Sequence, residues 1–97
     1  MIIHKFGDIN SPVMMLIHGV LSPWQIWEEQ IKYFQEKYFV LVVALNAHTE
    51  EKYSDFVSLE QEVAEIENYC KENSIDIIDV VCGVSLGGKI AYKMWKK

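Results

Sequence analysis

The sequence is poor in cysteine, and its 2 cysteines do not form any familiar motif. Cys70 and Cys82 lack the C-x-x-C spacing of zinc and redox sites, and the N-terminus lacks the basic start and long apolar run of a secretory signal. A disulfide scaffold is therefore not expected. We predict a cytoplasmic protein with reduced thiols, no metal and no organic cofactor.

Long hydrophobic runs and an excess of positive charge are also missing. The longest apolar run covers residues 39–45, far fewer than the roughly 20 residues that cross a bilayer. Lys and Arg number 9 against 14 Asp and Glu, which gives a net charge of −5. Such a charge disfavours binding to phosphate backbones and anionic membranes through bulk electrostatics. We therefore expect neither a nucleic-acid partner nor a membrane partner.

Three apolar runs predict strands that are buried on both faces. They cover residues 13–17, 39–45 and 77–84, are rich in Val, Leu and Ile, and are interrupted by a polar side chain only at Asp79. A further short strand is expected near the N-terminus, over residues 2–6.

The segment between the first two runs has the periodicity of an amphipathic helix. Its apolar residues fall at steps of three and four from Trp24 to Tyr38. A capping box is predicted at its start, with Ser22 as the N-cap, Pro23 at the first helical position and Gln25 completing the box.

The segment between the second and third runs repeats this helical pattern. Its apolar stripe runs from Leu59 to Cys70, and Ser58 with Gln61 predicts a second capping box. A last helix is expected from about Leu86. Strands that alternate with helices predict an α/β fold with a mainly parallel sheet and helices on both faces, in a single domain over residues 1–97.

The most informative stretch is Gly-Val-Ser-Leu-Gly-Gly at residues 83–88, which fits G-x-S-x-G between a predicted strand and a predicted helix. A serine at such a turn is strained and exposes its hydroxyl, and the glycines Gly83, Gly87 and Gly88 permit the tight turn and close helix packing. The helix N-terminus would present N–H groups to an oxyanion. Ser85 is therefore the candidate nucleophile, and the Leu86 N–H is one candidate oxyanion donor.

A second oxyanion donor is expected from the loop after an earlier strand. His18, Gly19 and Val20 directly follow the run at residues 13–17, and we predict that the Val20 N–H is this donor. His18 would orient the loop through its ring. Trp24, close to this loop, is a candidate for the wall of a substrate pocket.

These motifs resemble the α/β-hydrolase family, in particular small carboxylesterases and proline-iminopeptidase-like members. The resemblance rests on L-I-H-G at residues 16–19 and G-V-S-L-G-G at residues 83–88, and it extends over essentially the whole chain. It implies the N-terminal half of an α/β-hydrolase fold. It further implies a serine hydrolase that acts on an ester, amide or thioester through an acyl-enzyme on Ser85.

The sequence departs from the family pattern in two places. Residues 46–50, Asn-Ala-His-Thr-Glu, replace an Asp-x-Pro-Gly-x-Gly-like turn that relatives often have, and residues 86–97 contain neither the acid nor the histidine that the family places after its nucleophile. The resemblance therefore implies a partial domain that ends just after the helix following Ser85 and is inactive by itself.

Two other interpretations of the same residues stay open. The spacing from Gly83 to Gly88 and Lys89 also fits most of a phosphate-binding loop, G-x-x-x-x-G-K-[ST], although Ile90 lacks the hydroxyl that would bind Mg²⁺. Alternatively, the glycines only pack a helix against a strand in a non-catalytic assembly domain, with Ser85 as a helix cap.

The remaining reactive side chains and the last strand give three further predictions. His4 and His48 are expected at the surface, with His48 as a secondary candidate for the mouth of the pocket. Cys70 and Cys82 are expected to be buried, inert thiols. The resemblance implies that the strand at residues 77–84 pairs with later strands of the family, so its far edge would be free here, and we predict a homodimer that pairs there.

Overall fold

The computed structural model describes residues 1–49 and 55–96, and within them four strands form a single sheet. The strands are β1 (Ile2–Phe6), β2 (Val13–Ile17), β3 (Phe39–Ala44) and β4 (Val80–Gly83), and their order across the sheet is β1-β3-β2-β4. Strand β2 pairs in parallel with β3 and β4, whereas β1 is antiparallel to β3. The predicted, mainly parallel sheet is confirmed, and β4 lies at one of its edges.

Helices cover both faces of this sheet, as predicted. A 3-10 helix (Trp24–Trp27) leads into α1 (Glu28–Phe34), followed along the chain by α2 (Leu59–Glu72) and α3 (Leu86–Lys96). The 3-10 helix and α1 pack on one face of the sheet, and α2 and α3 pack on the other. None of the helices in the described ranges combines the length and the apolar character that a membrane span requires.

Strand β3 lies at the centre of the core, and each of its residues is buried. Because side chains alternate along a strand, Val40 and Val42 face α1 while Leu41 and Val43 face α2 and α3. This placement on both faces explains why the run contains no polar residue.

Strand β4 is shorter than the run at residues 77–84 predicted, because Asp79 marks its beginning. The Asp79 N–H donates to the Val13 carbonyl at 2.9 Å, and the Asp79 carboxylate accepts from the Val13 N–H at 2.8 Å. Ile77, just before it, is 69% exposed. The polar residue that interrupts the apolar run thus holds the start of β4 against β2.

The capping box predicted from Ser22 and Gln25 is wrong. Pro23 occupies the cap position in an extended conformation, and it makes no side-chain capping hydrogen bond. The Ser22 N–H instead donates to the Gly19 carbonyl at 3.2 Å, which places Ser22 in the turn before the helix. The chain then enters α1 through the 3-10 helix.

The start of α2 is capped by Ser58, as predicted. Its Oγ accepts from the Gln61 N–H at 3.0 Å. The Gln61 side chain donates to Glu65 at 3.4 Å, so the return bond of a full capping box is replaced by a contact along the helix.

Candidate active site

Ser85 lies in the sharp turn between the end of β4 and the start of α3. Its φ of +55° is a left-handed conformation, which costs of order 1 kcal/mol or more for a residue other than glycine. The residue is exposed. Hydrogen bonds from the Val84 N–H to the Ile17 carbonyl (3.1 Å) and from the Gly87 N–H to the Val84 carbonyl (2.9 Å) fix the turn. The strained and exposed serine predicted from G-x-S-x-G is therefore present.

Gly83 and Gly87 are glycines for a steric reason. A Cβ on Gly83 would lie 2.2 Å from the Gly87 carbonyl oxygen, and a Cβ on Gly87 would lie 2.1 Å from the Ile17 carbonyl oxygen. Both obstacles are backbone atoms that cannot rotate away. A Cβ on Gly88 would meet the Gly83 oxygen at 3.4 Å, an ordinary contact. The start of α3 thus lies directly against β2 and β4, and Gly88 is not required for this contact.

The loop after β2 lies beside Ser85. A Cβ on Gly19 would be 3.3 Å from the Ser85 Cβ and 3.9 Å from its Oγ. The next residues turn outward, since Val20 is 56% exposed and Leu21 is 91% exposed with a φ of +59°. Leu86 is the first residue of α3, so its N–H has no acceptor within that helix. The segments that carry both predicted oxyanion donors therefore flank the serine.

His18 is buried, and its ring joins this loop to the end of β3. Its Nδ1 is 2.7 Å from the Gly19 carbonyl, and its Nε2 accepts from the Leu45 N–H at 3.1 Å. Because a carbonyl only accepts and an amide N–H only donates, these partners assign a neutral ring with its proton on Nδ1. Burial lowers the pKa of His18 below its ordinary 6.5, and the nearby His48 ring adds to this effect. Both ring nitrogens are engaged, as expected for a residue that orients the loop.

His4 and His48, which were predicted at the surface, are half-buried there and have partners. The His4 ring stacks on Trp24 with a centroid distance of 4.1 Å. The His48 Nε2 accepts from the Leu21 N–H at 3.0 Å. The partners Trp24 and Leu21 are distant in sequence from His4 and His48, respectively.

A cavity of about 870 Å³ opens beside Ser85, between α2 and α3. Its lining combines apolar side chains of α2 with lysines and a tyrosine of α3, namely Leu59, Val63, Lys89, Tyr92, Lys93 and Lys96. Lys93 pairs with Glu60 at 3.0 Å on the exposed rim. Trp24 does not line this cavity, because it packs on the opposite face of the sheet with His4 and Phe6. Its role in a substrate pocket stays a prediction.

The two cysteines differ in exposure. Cys70 is buried on α2, as predicted, and burial raises the pKa of its thiol above the usual value. Cys82 is exposed, so the prediction of a buried residue is wrong. Its strand, β4, pairs only with β2 in the part of the chain that the structure describes. In these same residues, no group of His, Cys, Asp and Glu side chains could hold a metal ion.

The loop after β3 is anchored by Asn46, a role that the sequence analysis missed. Its backbone N–H donates to the buried Glu62 at 3.0 Å, and its side-chain amide donates to Glu62 and Glu65 at 2.7 Å each. The Met1 ammonium group donates to the Asn46 side-chain oxygen. The sequence feature that could have indicated this contact is Glu62, a glutamate on the apolar stripe of α2. Glu50, the last residue of the atypical turn, lies outside the described residues.

The phosphate-loop interpretation gains no support from the position of Ile90. This side chain is fully buried in the core formed by β2, β3, α2 and α3. It cannot present a ligand to a metal ion bound outside the helix N-terminus.

Solved structures show the same fold. A protein assigned to the α/β-hydrolase family from Desulfitobacterium hafniense is similar with a TM-score of 0.90 and 29% identity, over 95% of this chain and 37% of that chain. A thermophilic esterase from Thermogutta terrifontis gives a TM-score of 0.85 and 21% identity, over 99% of this chain and 35% of that chain. An epoxide hydrolase from metagenomes of hot environments gives a TM-score of 0.84 and 18% identity, over 95% of this chain and 32% of that chain.

No family model and no curated protein matches the sequence. The chain spans about a third of the length of these structural neighbours. Its extent is consistent with the N-terminal portion of such a protein. The chain therefore has part of the fold of α/β-hydrolase family proteins, to which these structural neighbours belong.

Proposed function

We propose that this chain supplies the nucleophile and the oxyanion loop of a serine hydrolase that cleaves an ester, amide or thioester. The observation that carries the proposal is the position of Ser85, which is left-handed, exposed and adjacent to Gly19. One structural neighbour is an epoxide hydrolase, so the fold alone leaves the reaction open. A serine at this turn favours acyl transfer.

In the proposed mechanism, a histidine base removes the proton of Ser85 as its Oγ attacks the acyl carbon. The N–H groups of Val20 and Leu86 hold the negative oxygen of the tetrahedral intermediate. Collapse of this intermediate releases the alcohol, amine or thiol, which takes its proton from the same histidine. Water then cleaves the acyl-enzyme by the reverse sequence of proton transfers.

The histidines of this chain do not provide that base. Both ring nitrogens of His18 contact backbone groups, as do both ring nitrogens of His48. His4 stacks on Trp24. We therefore propose that the base and the acid that orients it come from polypeptide outside these residues, and that residues 1–97 form a partial, inactive domain.

Hydrolysis of p-nitrophenyl acetate tests this assignment on the purified chain. We expect the chain and its Ser85→Ala variant to agree within about twofold, because a serine hydroxyl without a base is a weak nucleophile. Ser58→Ala is a matched control at a helix cap away from the turn. A large rate that depends on Ser85 would show that the base lies within these residues or in a partner copy.

A further inference from the structure

The second histidine beside the oxyanion loop, His48, has two partners that define its protonation. The Leu21 N–H donates to its Nε2 at 3.0 Å, and its Nδ1 lies 3.0 Å from the Asn46 carbonyl. The ring must therefore accept at Nε2 and donate at Nδ1. Only the neutral tautomer with its proton on Nδ1 makes both bonds.

The residue that His48 holds adopts an unfavourable backbone conformation. Leu21 has a φ of +59° and is 91% exposed, so burial of its own side chain does not compensate for the left-handed geometry. A strained residue of this kind persists only where its surroundings fix it. The bond from Leu21 to His48 connects this exposed turn to the loop after β3.

The other side of the His48 ring is attached to a rigid element. Asn46, whose carbonyl faces Nδ1, is buried and bonded to Glu62 and Glu65 of α2. A continuous set of hydrogen bonds thus runs from α2 through Asn46 and His48 to Leu21. The centroid of the His18 ring lies 5.0 Å from the centroid of the His48 ring. The His18 ring contacts the start of the same loop at the Gly19 carbonyl.

We propose that His48 is a positioning residue, which fixes Leu21 and thereby holds the adjacent Val20 N–H beside Ser85. The inference rests on the proposed function, because it assigns Val20 as an oxyanion donor. In this proposal, the atypical turn after β3 supplies the hydrogen-bond acceptor that keeps the oxyanion loop in place.

The tautomer is the first test, measured on the uniformly ¹⁵N-labelled chain at neutral pH. Long-range ¹H–¹⁵N spectra distinguish a protonated Nδ1 from a protonated Nε2. We expect His48 to be neutral with its proton on Nδ1. A ring protonated on Nε2 would overturn the proposal, since it could not accept from Leu21.

Amide hydrogen exchange of Leu21 is the second test, in three variants. His48→Leu removes the acceptor, His48→Gln keeps an acceptor on a flexible side chain, and His4→Leu removes a half-buried imidazole elsewhere. We expect exchange at Leu21 to rise about tenfold in His48→Leu, the equivalent of roughly 1.4 kcal/mol, to be largely restored in His48→Gln, and to be unchanged in His4→Leu. The Val20 amide resonances should shift in His48→Leu.

Unchanged exchange at Leu21 in a folded His48→Leu variant would contradict the proposal. If that variant does not fold, the tautomer of the unsubstituted chain and the exchange rates of His48→Gln still decide. Neither readout needs turnover, so a failure of acyl chemistry at Ser85 would be recognised separately.

Discussion

The central strand β3 and the edge strand β4 have similar apolar compositions but different environments. Every residue of β3 is buried. In β4, which pairs only with β2 among the described residues, Val81 and Cys82 are exposed. Yet β4 is the strand that leads directly to Ser85. The comparison shows that position in the sheet decides burial here, and that the candidate nucleophile is fixed by α3 and β2.

The largest loss of stability is expected from a substitution where α3 meets the sheet, because this contact holds the edge strand and its turn in place. In Gly87→Ala, the new Cβ would lie 2.1 Å from the Ile17 carbonyl oxygen. We expect the free energy of unfolding to fall by about 3 kcal/mol or more, since backbone atoms must move. Urea denaturation followed by circular dichroism measures this change.

Gly88→Ala is the matched control on the same helix. Its Cβ would meet the Gly83 oxygen at 3.4 Å, and alanine favours a helix by up to about 1 kcal/mol over glycine. We expect unchanged or raised stability. Equal destabilisation by the two substitutions would show that the close approach at Gly87 is not what orders this turn.

Two matched valine truncations compare the strands themselves. Val42→Ala removes methyl groups from a fully buried site in β3, and we expect a loss of about 2 kcal/mol. Val81→Ala acts on a strand that is exposed in the single chain, and at protein concentrations low enough to keep the chain monomeric we expect a loss below about 0.5 kcal/mol. Similar losses would mean that β4 is covered in solution, for example by a second copy of the chain.

Local patterns were sufficient to predict much of this structure. The apolar runs predicted β2 and β3, and G-x-S-x-G predicted the strained turn at Ser85, because both depend on neighbours in sequence. The exposure of Cys82 depends on whether another strand lies beside β4, which no local pattern contains. The bond from Leu21 to His48 joins residues 27 positions apart, and only the sheet order brings them together.

Self-association through β4 stays a prediction. A second strand paired there would remove the difference in burial between β3 and β4. Exposed apolar side chains accompany β4: Ile77 shortly precedes it in the chain, and Trp95 lines a cavity together with Val81 of β4. An unpaired edge of this kind is a template for a second strand. We expect a dimer by size-exclusion chromatography with light scattering at micromolar concentration. Val81→Lys should shift the chain toward monomer. A stable, cooperatively unfolding monomer without any substitution would contradict this prediction.

A smaller effect on stability is expected when the pH falls, because the ring of His18, just after β2, is buried. The pKa of His18 in the folded chain lies below its ordinary 6.5 because burial disfavours the charged ring. The unfolded chain therefore binds more protons as the pH falls below 6.5, so this contribution to stability is fully present above 6.5 and is lost below it.

Urea unfolding at about pH 7.5 and about pH 5.5 measures this loss. We expect a steeper decrease in the unsubstituted chain than in His18→Gln. Equal decreases in the unsubstituted chain and His18→Gln would show that His18 titrates as it does in the unfolded chain.

The most direct test of the central claim is covalent labelling with a fluorophosphonate, applied to the protein as expressed from its own gene. The probe forms a stable bond with an activated serine, and mass spectrometry of peptides locates it. We predict one adduct, on the peptide that contains Ser85, which disappears in Ser85→Ala and persists in Ser58→Ala. An adduct on any other residue, or no adduct on a protein that also supplies a histidine base and an acid, would contradict the assignment of Ser85 as the nucleophile.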